Sequence, residues 1–379
     1  MALLADKYVN LISGRSRGAL ADLARVSLWL LSLAYRAVVA VRNAWYGLIP
    51  PAVRRIPGSV FAVGNITVGG TGKTPMAACL ANLLLQRGLR VAIVLRGYKG
   101  GAIQFDADQR DEAIVRWRKE SDEALVLKRR CPRAMVLVNP DRVAAARRAV
   151  AAGAEAVVLD DAFQHRRIAR DLNIALVDAT QPFGYGHLLP RGLLREPTRS
   201  LRRADLIVLT RADQIDDASR NVLIGRLQRL SAGRPVISAA HRIVGFTDVK
   251  GSDVTLNDLS AMQAVIFAGI ANFESFRKTI EEVGVRVVAA YQYPDHHDYR
   301  ADEIAALADV AGTLEANVLL TTEKDAVKLV GRWPDEGCRL LVAKLDIEFD
   351  SDGERVLEGM LERTLSRWSK QDSASSPGS

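Results

Sequence analysis

Residues 60–75 read VFAVGNITVGGTGKTP. An apolar, β-branched run enters a glycine-rich turn, Lys73 and Thr74 follow, and a helical run from Pro75 closes at Gly88. Strand, glycine turn and helix in that order form a phosphate-binding loop. Glycines let consecutive backbone N–H groups turn inward around phosphate oxygens, and the helix N-terminus adds partial positive charge. In such a loop Lys73 reaches the β- and γ-phosphates and the Thr74 hydroxyl ligates Mg²⁺. ATP and Mg²⁺ are therefore the expected cofactors, with Thr67, Val68, Gly69, Gly70, Thr71, Gly72, Lys73 and Thr74 wrapped around the phosphates. One position departs from the usual spacing: Thr67 stands where G-x-x-x-x-G-K-[ST] has its first glycine. Gly69, Gly70 and Gly72 are expected to supply the flexibility instead.

A P-loop needs an acidic partner for the magnesium shell, usually at the end of a neighbouring strand. Residues 157–161 (VVLDD) offer an apolar strand ending in Asp160 and Asp161, the expected metal ligands beside Thr74. The plain alternative is a pair of solvated acids capping the next helix.

Around this centre, short apolar runs at 59–63, 91–95, 135–138, 156–159, 174–177 and 206–209 alternate with helical segments. Uniformly apolar strands between helices indicate a parallel sheet covered on both faces. After Gly233-Arg234-Pro235 a second series begins, with strands at 236–238, 264–268, 285–290, 318–321 and 340–343 and a helix at 302–314. The expected fold class is α/β: two α/β/α domains with mainly parallel sheets, a P-loop NTPase-type domain coming first, plus an N-terminal membrane-associated helix. The boundaries read as 1–50 for the amphipathic N-terminal region, 51–232 for the P-loop domain and 233–350 for a smaller α/β domain. Residues 351–379 read as a C-terminal helix with a disordered tail at 371–379 (QDSASSPGS).

The length of 379 residues exceeds the usual size of one core, which agrees with two domains. A net charge of +8 favours an anionic partner, and nucleic acid, anionic lipid and phosphorylated small molecules all fit. The basic residues are scattered with few interleaved aromatics, unlike a stacking platform, so no nucleic acid is expected. No protein partner is evident. Cys79, Cys131 and Cys338 form no CxxC or Cys/His cluster, which argues against a disulfide framework or a zinc site and for a reducing compartment.

Residues 19–41 (ALADLARVSLWLLSLAYRAVVAV) are apolar for most of their length, interrupted by Asp22, Arg25 and Arg36. A spanning helix wants about 20 nearly charge-free residues. The aromatics Trp29, Tyr35, Trp45 and Tyr46, with Arg15, Arg17, Arg25, Arg36 and Arg42, suit a helix lying at the headgroup boundary. A helix packed on the protein's own core and a spanning helix remain the alternatives.

Further motifs narrow the reading. DDAFQHRRIARDLNIALVDA occupies residues 160–179 and FGYGHLLPRGLLREP residues 183–197. LRGYKG (95–100), SDEALVL (121–127), NPDR (139–142), YPDHHDY (293–299) and TTEKDAVKL (321–329) accompany them. Together with GNITVGGTGKTP, in this order from about residue 15 to 345, they resemble the tetraacyldisaccharide 4′-kinase family. Two positions depart from the family's pattern: Ala162 where it usually has Gly after the paired acids, and Ala124 where it usually has Pro.

The resemblance implies transfer of the ATP γ-phosphoryl group to the 4′-hydroxyl of a tetraacylated glucosamine disaccharide 1-phosphate, in lipid A biosynthesis. It implies a lipid disaccharide and a membrane surface as partners, with the enzyme held peripherally at the cytoplasmic face of the bacterial inner membrane by its N-terminal helix. It also implies two domains that close over the nucleotide. Asp122 matches the family's catalytic base and His296 its partner, expected from the second domain, so that closure would assemble the base; Lys73 completes the catalytic set. Asn65, Arg96, Arg142, Gln164, His165 and Arg195 are the expected substrate-binding residues, with Arg166 and Arg191 as further candidate clamps. Glu196 is expected in the metal or nucleotide shell. Lys324 and Asp325, where a strand ends and a helix opens, are placed on the adenine side of the nucleotide, with plain helix capping as the alternative. The rival function is a P-loop GTPase or ATPase switch or metal-delivery protein, which leaves the FQHR and LLREP stretches unexplained.

Overall fold

Thirteen strands account for the apolar runs: β1 (Ser59–Asn65), β2 (Val91–Leu95), β3 (Ile103–Phe105), β4 (Met135–Val138), β5 (Ala156–Leu159), β6 (Leu172–Asp178), β7 (Leu206–Thr210), β8 (Val236–Asp248), β9 (Asp253–Val254), β10 (Gln263–Ala268), β11 (Arg286–Gln292), β12 (Val318–Thr322) and β13 (Arg339–Phe349). They come from a computed structural model that describes residues 2–49, 52–97, 103–105, 121–248, 251–255, 262–334 and 338–375. By contact the chain forms two compact units. The larger comprises Leu3–Asp108, Cys131–Ala240 and Glu348–Ser379, and the smaller includes Gln109–Arg130 and His241–Ile347.

In the larger unit the strand order is β8-β7-β6-β1-β5-β2-β4-β3. Every described pair is parallel except β3 on β4. β1 is buried along its whole length, as are β2, β5, β6 and β7. Burying a Val, Leu or Ile side chain contributes about 1.5–3 kcal/mol, so strands without polar alternation are favourable only when both faces are covered. One face packs Val60, Val94, Leu137 and Val157 against Val143, Ala146 and Ala149 of the helix Arg142–Ala151. Another core sets Phe163, Val177, Ile207 and Leu209 against Leu223 and Leu227 of the helix Asp217–Leu230. Parallel pairing of β1 with β5 puts Ala62 beside Leu159, so Asp160 emerges next to the turn that follows β1.

The smaller unit has the order β11-β10-β12-β13 followed by β8, with β9 antiparallel on β8. The pairs among β10, β11, β12 and β13 are parallel. Its two cores contain Phe273, Phe276 and Ile280 of the helix Phe273–Glu282, and Ile304, Leu307 and Ala311 of the helix Ala301–Thr313. The mainly parallel α/β expectation is met in both units. The division differs from a single cut after residue 232, because the helix Asp122–Arg130 belongs to the smaller unit. There Arg130 holds Glu323 through bonds of 2.5–3.0 Å and also donates to the Leu345 carbonyl.

Two helices, Ala2–Ile12 and Ala19–Leu48, open the larger unit. Tyr8 donates to the Pro190 carbonyl at 2.6 Å and Tyr35 to that of Arg195 at 3.0 Å, while Arg42 pairs with Glu196. Apart from these attachments Ala19–Leu48 presents an apolar surface: Leu20, Val41 and Leu48 are 84%, 71% and 79% exposed. Only Ser32 and Val39 of this helix are buried, so it is no core helix of the larger unit. By length and composition it could cross a membrane. Two arginines expected at the headgroups are used internally, Arg42 on Glu196 and Arg25 on Asp22 and the Ser16 carbonyl.

The C-terminal helix runs Ser351–Ser375 and so enters the stretch expected to be disordered. Residues 376–379, like 98–100 of the LRGYKG stretch, lie outside the described residues.

Candidate active site

The helix of the phosphate-binding loop begins at Lys73, two residues earlier than its sequence pattern suggests, with Pro75 accommodated in the first turn. Gly72 caps it in the left-handed region (φ 86°), and Gly69 lies at φ 122°. These two glycines provide the turn that Thr67 cannot. Thr67 instead is buried and forms an isolated antiparallel bridge with Leu194. Val68 N–H donates to the Leu193 carbonyl at 2.8 Å and Arg195 N–H to that of Ile66 at 2.7 Å. The LLREP stretch therefore runs alongside the loop and braces its first half.

Buried side chains shape the rest. Asn65 donates to the Thr71 hydroxyl at 2.9 Å, and Gln164 donates to the Asn65 carbonyl at 2.7 Å. Arg211 donates to the Gly70 carbonyl at 2.8 Å while paired with Asp178, and the Thr210 hydroxyl donates to the Thr71 carbonyl at 3.1 Å. Asn65 and Gln164, expected on the substrate, are thus parts of the loop's frame. Arg211 and Thr210 were invisible in the sequence because nothing in TRAD marks it as touching a turn some 140 residues earlier.

Lys73 donates to the Gly69 carbonyl at 3.2 Å and lies 3.9 Å from Asp161. Thr74 Oγ1 is 3.4 Å from Asp160 Oδ2. Asp161 adopts φ 45°, and its carboxylate takes Arg195 at 3.0 and 3.1 Å while Arg142 donates to its carbonyl at 3.0 Å. Burial pushes the Asp161 pKa up, but the charges of Lys73, Arg195 and Arg142 outweigh it and hold it below the usual carboxylate value. Ala162, a departure from the family's pattern, is fully buried without positive φ, and its N–H donates to the Val63 carbonyl at 2.8 Å. Ala124, the other departure, is buried in the first turn of its helix.

His165 is pushed down to a pKa of about 4, first by burial and then by Arg142, Arg170 and Arg167, so its imidazole is neutral at physiological pH. Arg96 follows β2 and is exposed. Arg166 donates to the Asn43 carbonyl at 2.7 Å and Arg191 to that of Ile12 at 2.9 Å, which attaches both to the N-terminal helices. Glu196 corrects an expectation: its side chain is fully buried and saturated by Arg42 and Arg203. Enclosed and already facing two guanidinium charges, it is a poor place for a further cation, and its described contacts are those of a structural tie.

In the smaller unit a second cluster forms. His296, itself at φ 62°, places Nδ1 3.3 Å from Asp122 Oδ2, and its Nε2 lies 3.3 Å from Lys324 Nζ. Lys328 Nζ lies 3.2 Å from the same Asp122 oxygen. Burial pushes Asp122 up, but the His296 hydrogen bond and the charges of Lys328 and Lys324 prevail and keep its pKa low. The hydrogen bond to Asp122 raises that of His296, against burial and Lys324. By contact both partners fall within the smaller unit.

Lys324 and Asp325 correct a further expectation. Lys324 is bound to Asp295 at 2.6 Å beside His296. Asp325 has no exposed surface and accepts from Gly269 N–H at 3.1 Å, the Tyr299 hydroxyl at 3.0 Å and the Thr322 hydroxyl at 2.7 Å. Its carboxylate is taken up by these three donors at the start of its own helix. Lys328, by contrast, carries a signal in the sequence: it stands one helical turn after Lys324 in TTEKDAVKL, an i,i+4 spacing that puts both ammoniums on one face.

A glycine cradle with a lysine, a threonine and a buried acid at its rim defines a P-loop phosphotransferase. A carboxylate supported by histidine adds what a kinase needs for an alcohol acceptor. A family model described as Tetraacyldisaccharide-1-P 4'-kinase matches residues 24–365. A tetraacyldisaccharide 4'-kinase of Anaeromyxobacter sp. (strain K) is 39% identical over 92% of this chain and 93% of its own. One from Syntrophus aciditrophicus (strain SB) is 36% identical over 88% and 91%. The crystal structure of LpxK from Aquifex aeolicus in complex with ATP is 27% identical, covers 90% of this chain and 99% of its own, and superposes with a TM-score of 0.68. The chain belongs to the tetraacyldisaccharide-1-P 4'-kinase family.

Proposed function

We infer that this chain transfers the γ-phosphoryl group of ATP to the 4′-hydroxyl of a tetraacylated glucosamine disaccharide 1-phosphate, giving the 4′-phosphorylated lipid A precursor. The family match across residues 24–365 carries this reading. The switch or metal-delivery alternative is not favoured, since it accounts for neither the family match nor the LLREP brace.

The residue roles extend that reading. Backbone groups of residues 67–74 and the Lys73 ammonium take the phosphates. Magnesium prefers oxygen ligands and typically keeps one or two carboxylates with phosphate oxygens and waters. Thr74 Oγ1 and Asp160 Oδ2, 3.4 Å apart, are a donor pair of that kind and would hold the ion, which would neutralise charge on the phosphates. Asp161, engaged by Arg195 and near Lys73, orients these cations. Asp122, supported by His296, is the base for the acceptor hydroxyl. Arg96, Arg142, His165 and Arg195 remain the residues assigned to the substrate's head. The exposed apolar surface of Ala19–Leu48 supports membrane association, and the acceptor's chemistry suggests the cytoplasmic face.

The deciding experiment is transfer from labelled ATP to the monophosphorylated tetraacyl disaccharide, with and without Mg²⁺. Acceptor-independent ATP turnover with no labelled lipid would overturn the reading.

A further inference from the structure

The helix Glu323–Leu329 carries Lys324 and Lys328 one turn apart, and each reaches a different member of the Asp122–His296 pair. Lys328 is only 7% exposed. Its ammonium lies between two carboxylates as an ion-paired cation without hydrogen-bond geometry, 3.2 Å from Asp122 Oδ2 and 3.7 Å from Asp325 Oδ1. Asp325 cannot follow it, being fixed by Gly269, Thr322 and Tyr299. Burial and the Asp325 charge push the Tyr299 pKa far up, so its hydroxyl stays a donor.

His296 Nδ1 and Lys328 Nζ both approach Oδ2 of Asp122. Oδ1 has no partner among the described residues. A base must offer lone pairs of one oxygen in a fixed direction, and this arrangement leaves only Oδ1 to do so.

We propose that Lys328 is a positioning residue for phosphoryl transfer: anchored by Asp325, it pins Oδ2 of Asp122 and so leaves Oδ1 to receive the acceptor's proton. This rests on the reading of Asp122 as the base. In the step, the acceptor O–H bond breaks and its proton passes to Oδ1. The hydroxyl oxygen bonds to the γ-phosphorus, and the β–γ bridging oxygen leaves with ADP.

Other groups around Asp122 do not duplicate Lys328. Lys324 is bound to Asp295 at 2.6 Å and lies 3.7 Å from Glu123. Glu123, on the Asp122 helix, is 3.7 Å from His296 Nε2, and Arg130 at that helix's end is taken by Glu323. The buried cation directly on the carboxylate is Lys328, and an opposite charge so placed lowers a carboxyl pKa by 1–3 units.

The test is kcat against pH for the full-length enzyme with saturating ATP, Mg²⁺ and monophosphorylated tetraacyl disaccharide. Lys328→Met should move the acid limb up by about one pH unit or more and lower kcat about tenfold or more on that limb, below both pKa values, with little change at neutral pH and KM for ATP within about twofold of wild type. Lys328→Arg should retain the original limb. Because Lys328→Met removes the cation beside buried Asp325, Lys328→Met/Asp325→Asn provides a charge-balanced partner, and it should show the same displacement. A uniform loss at every pH with the limb unmoved, in either folded variant, overturns the proposal. Asp122→Asn separates the two readings: full turnover there removes the base itself, whereas an inactive Asp122→Asn beside an unmoved limb removes only Lys328's role.

Discussion

Arg42 and Glu196 form an ion pair that fastens the helix Ala19–Leu48 to the strand-bound frame of the larger unit, and the Glu196 side chain has no exposed surface. Arg203 meets the other carboxylate oxygen at 2.5 Å. The LLREP stretch thus connects the amphipathic helix to the loop that holds phosphate, because Arg195 beside it bonds Asp161 and Ile66.

Removing a partner from a buried pair leaves uncompensated charge. Glu196→Ala should destabilise the protein by about 3 kcal/mol, somewhat less than a fully enclosed pair because both arginines keep some exposure. Denaturant unfolding measures this, and a loss under about 0.5 kcal/mol would show that the triad is ornamental to stability.

Lys73→Ala should abolish phosphoryl transfer without unfolding the chain, since the ammonium sits on the loop, 3.2 Å from the Gly69 carbonyl and 3.9 Å from Asp161, and not in an apolar core. Transfer assays beside circular dichroism check it. Retained turnover would remove Lys73 from the phosphate site.

The Asp122–His296 pair has opposite signs in its pH dependence. The folded-state pKa of Asp122 is depressed, so its contribution to stability is present above the ordinary carboxylate pKa and is lost as pH falls through the folded value. That of His296 is raised, so its contribution is full below about pH 6.5 and is lost as pH rises through the folded value. His296→Ala should therefore flatten the decline in stability above neutrality and move the acid limb of kcat upward. Unfolding free energy and kcat measured across pH 3–9 test both, and curves that superpose on wild type would refute the coupling.

Membrane association should follow the exposed face and not the helix as a whole. Leu30→Asp/Val38→Asp alters two residues that are 56% and 67% exposed and spares Tyr35 and Arg42. Co-sedimentation with vesicles of anionic phospholipid should fall about tenfold or more, since a charged residue in apolar lipid costs about 2.5–3.5 kcal/mol. Undiminished binding would locate the membrane contact elsewhere. Deleting the helix is a poorer test, because it also strips Glu196 of Arg42.

The strands at Val91–Leu95, Met135–Val138 and Ala156–Leu159 were legible because each is an unbroken apolar run between turn signals. β8 was read as three residues and extends to Asp248. Its burial alternates, and His241, Arg242 and Gly245 interrupt the hydrophobic signal. Among site residues, Glu196 and Asp325 were acids in suggestive motifs, and nothing local distinguishes a carboxylate that meets a cofactor from one consumed by arginines or backbone N–H groups.

The sequence by itself determined the phosphate loop and the parallel α/β architecture, because both are written in consecutive residues: a glycine turn between strand and helix, and apolar runs of strand length. Tertiary structure alone decided which carboxylates keep their oxygens for chemistry. Asp122 meets His296 across 174 positions, and Thr74 meets Asp160 across 86. Such pairings depend on strand order and helix packing, and no spacing along the chain encodes them.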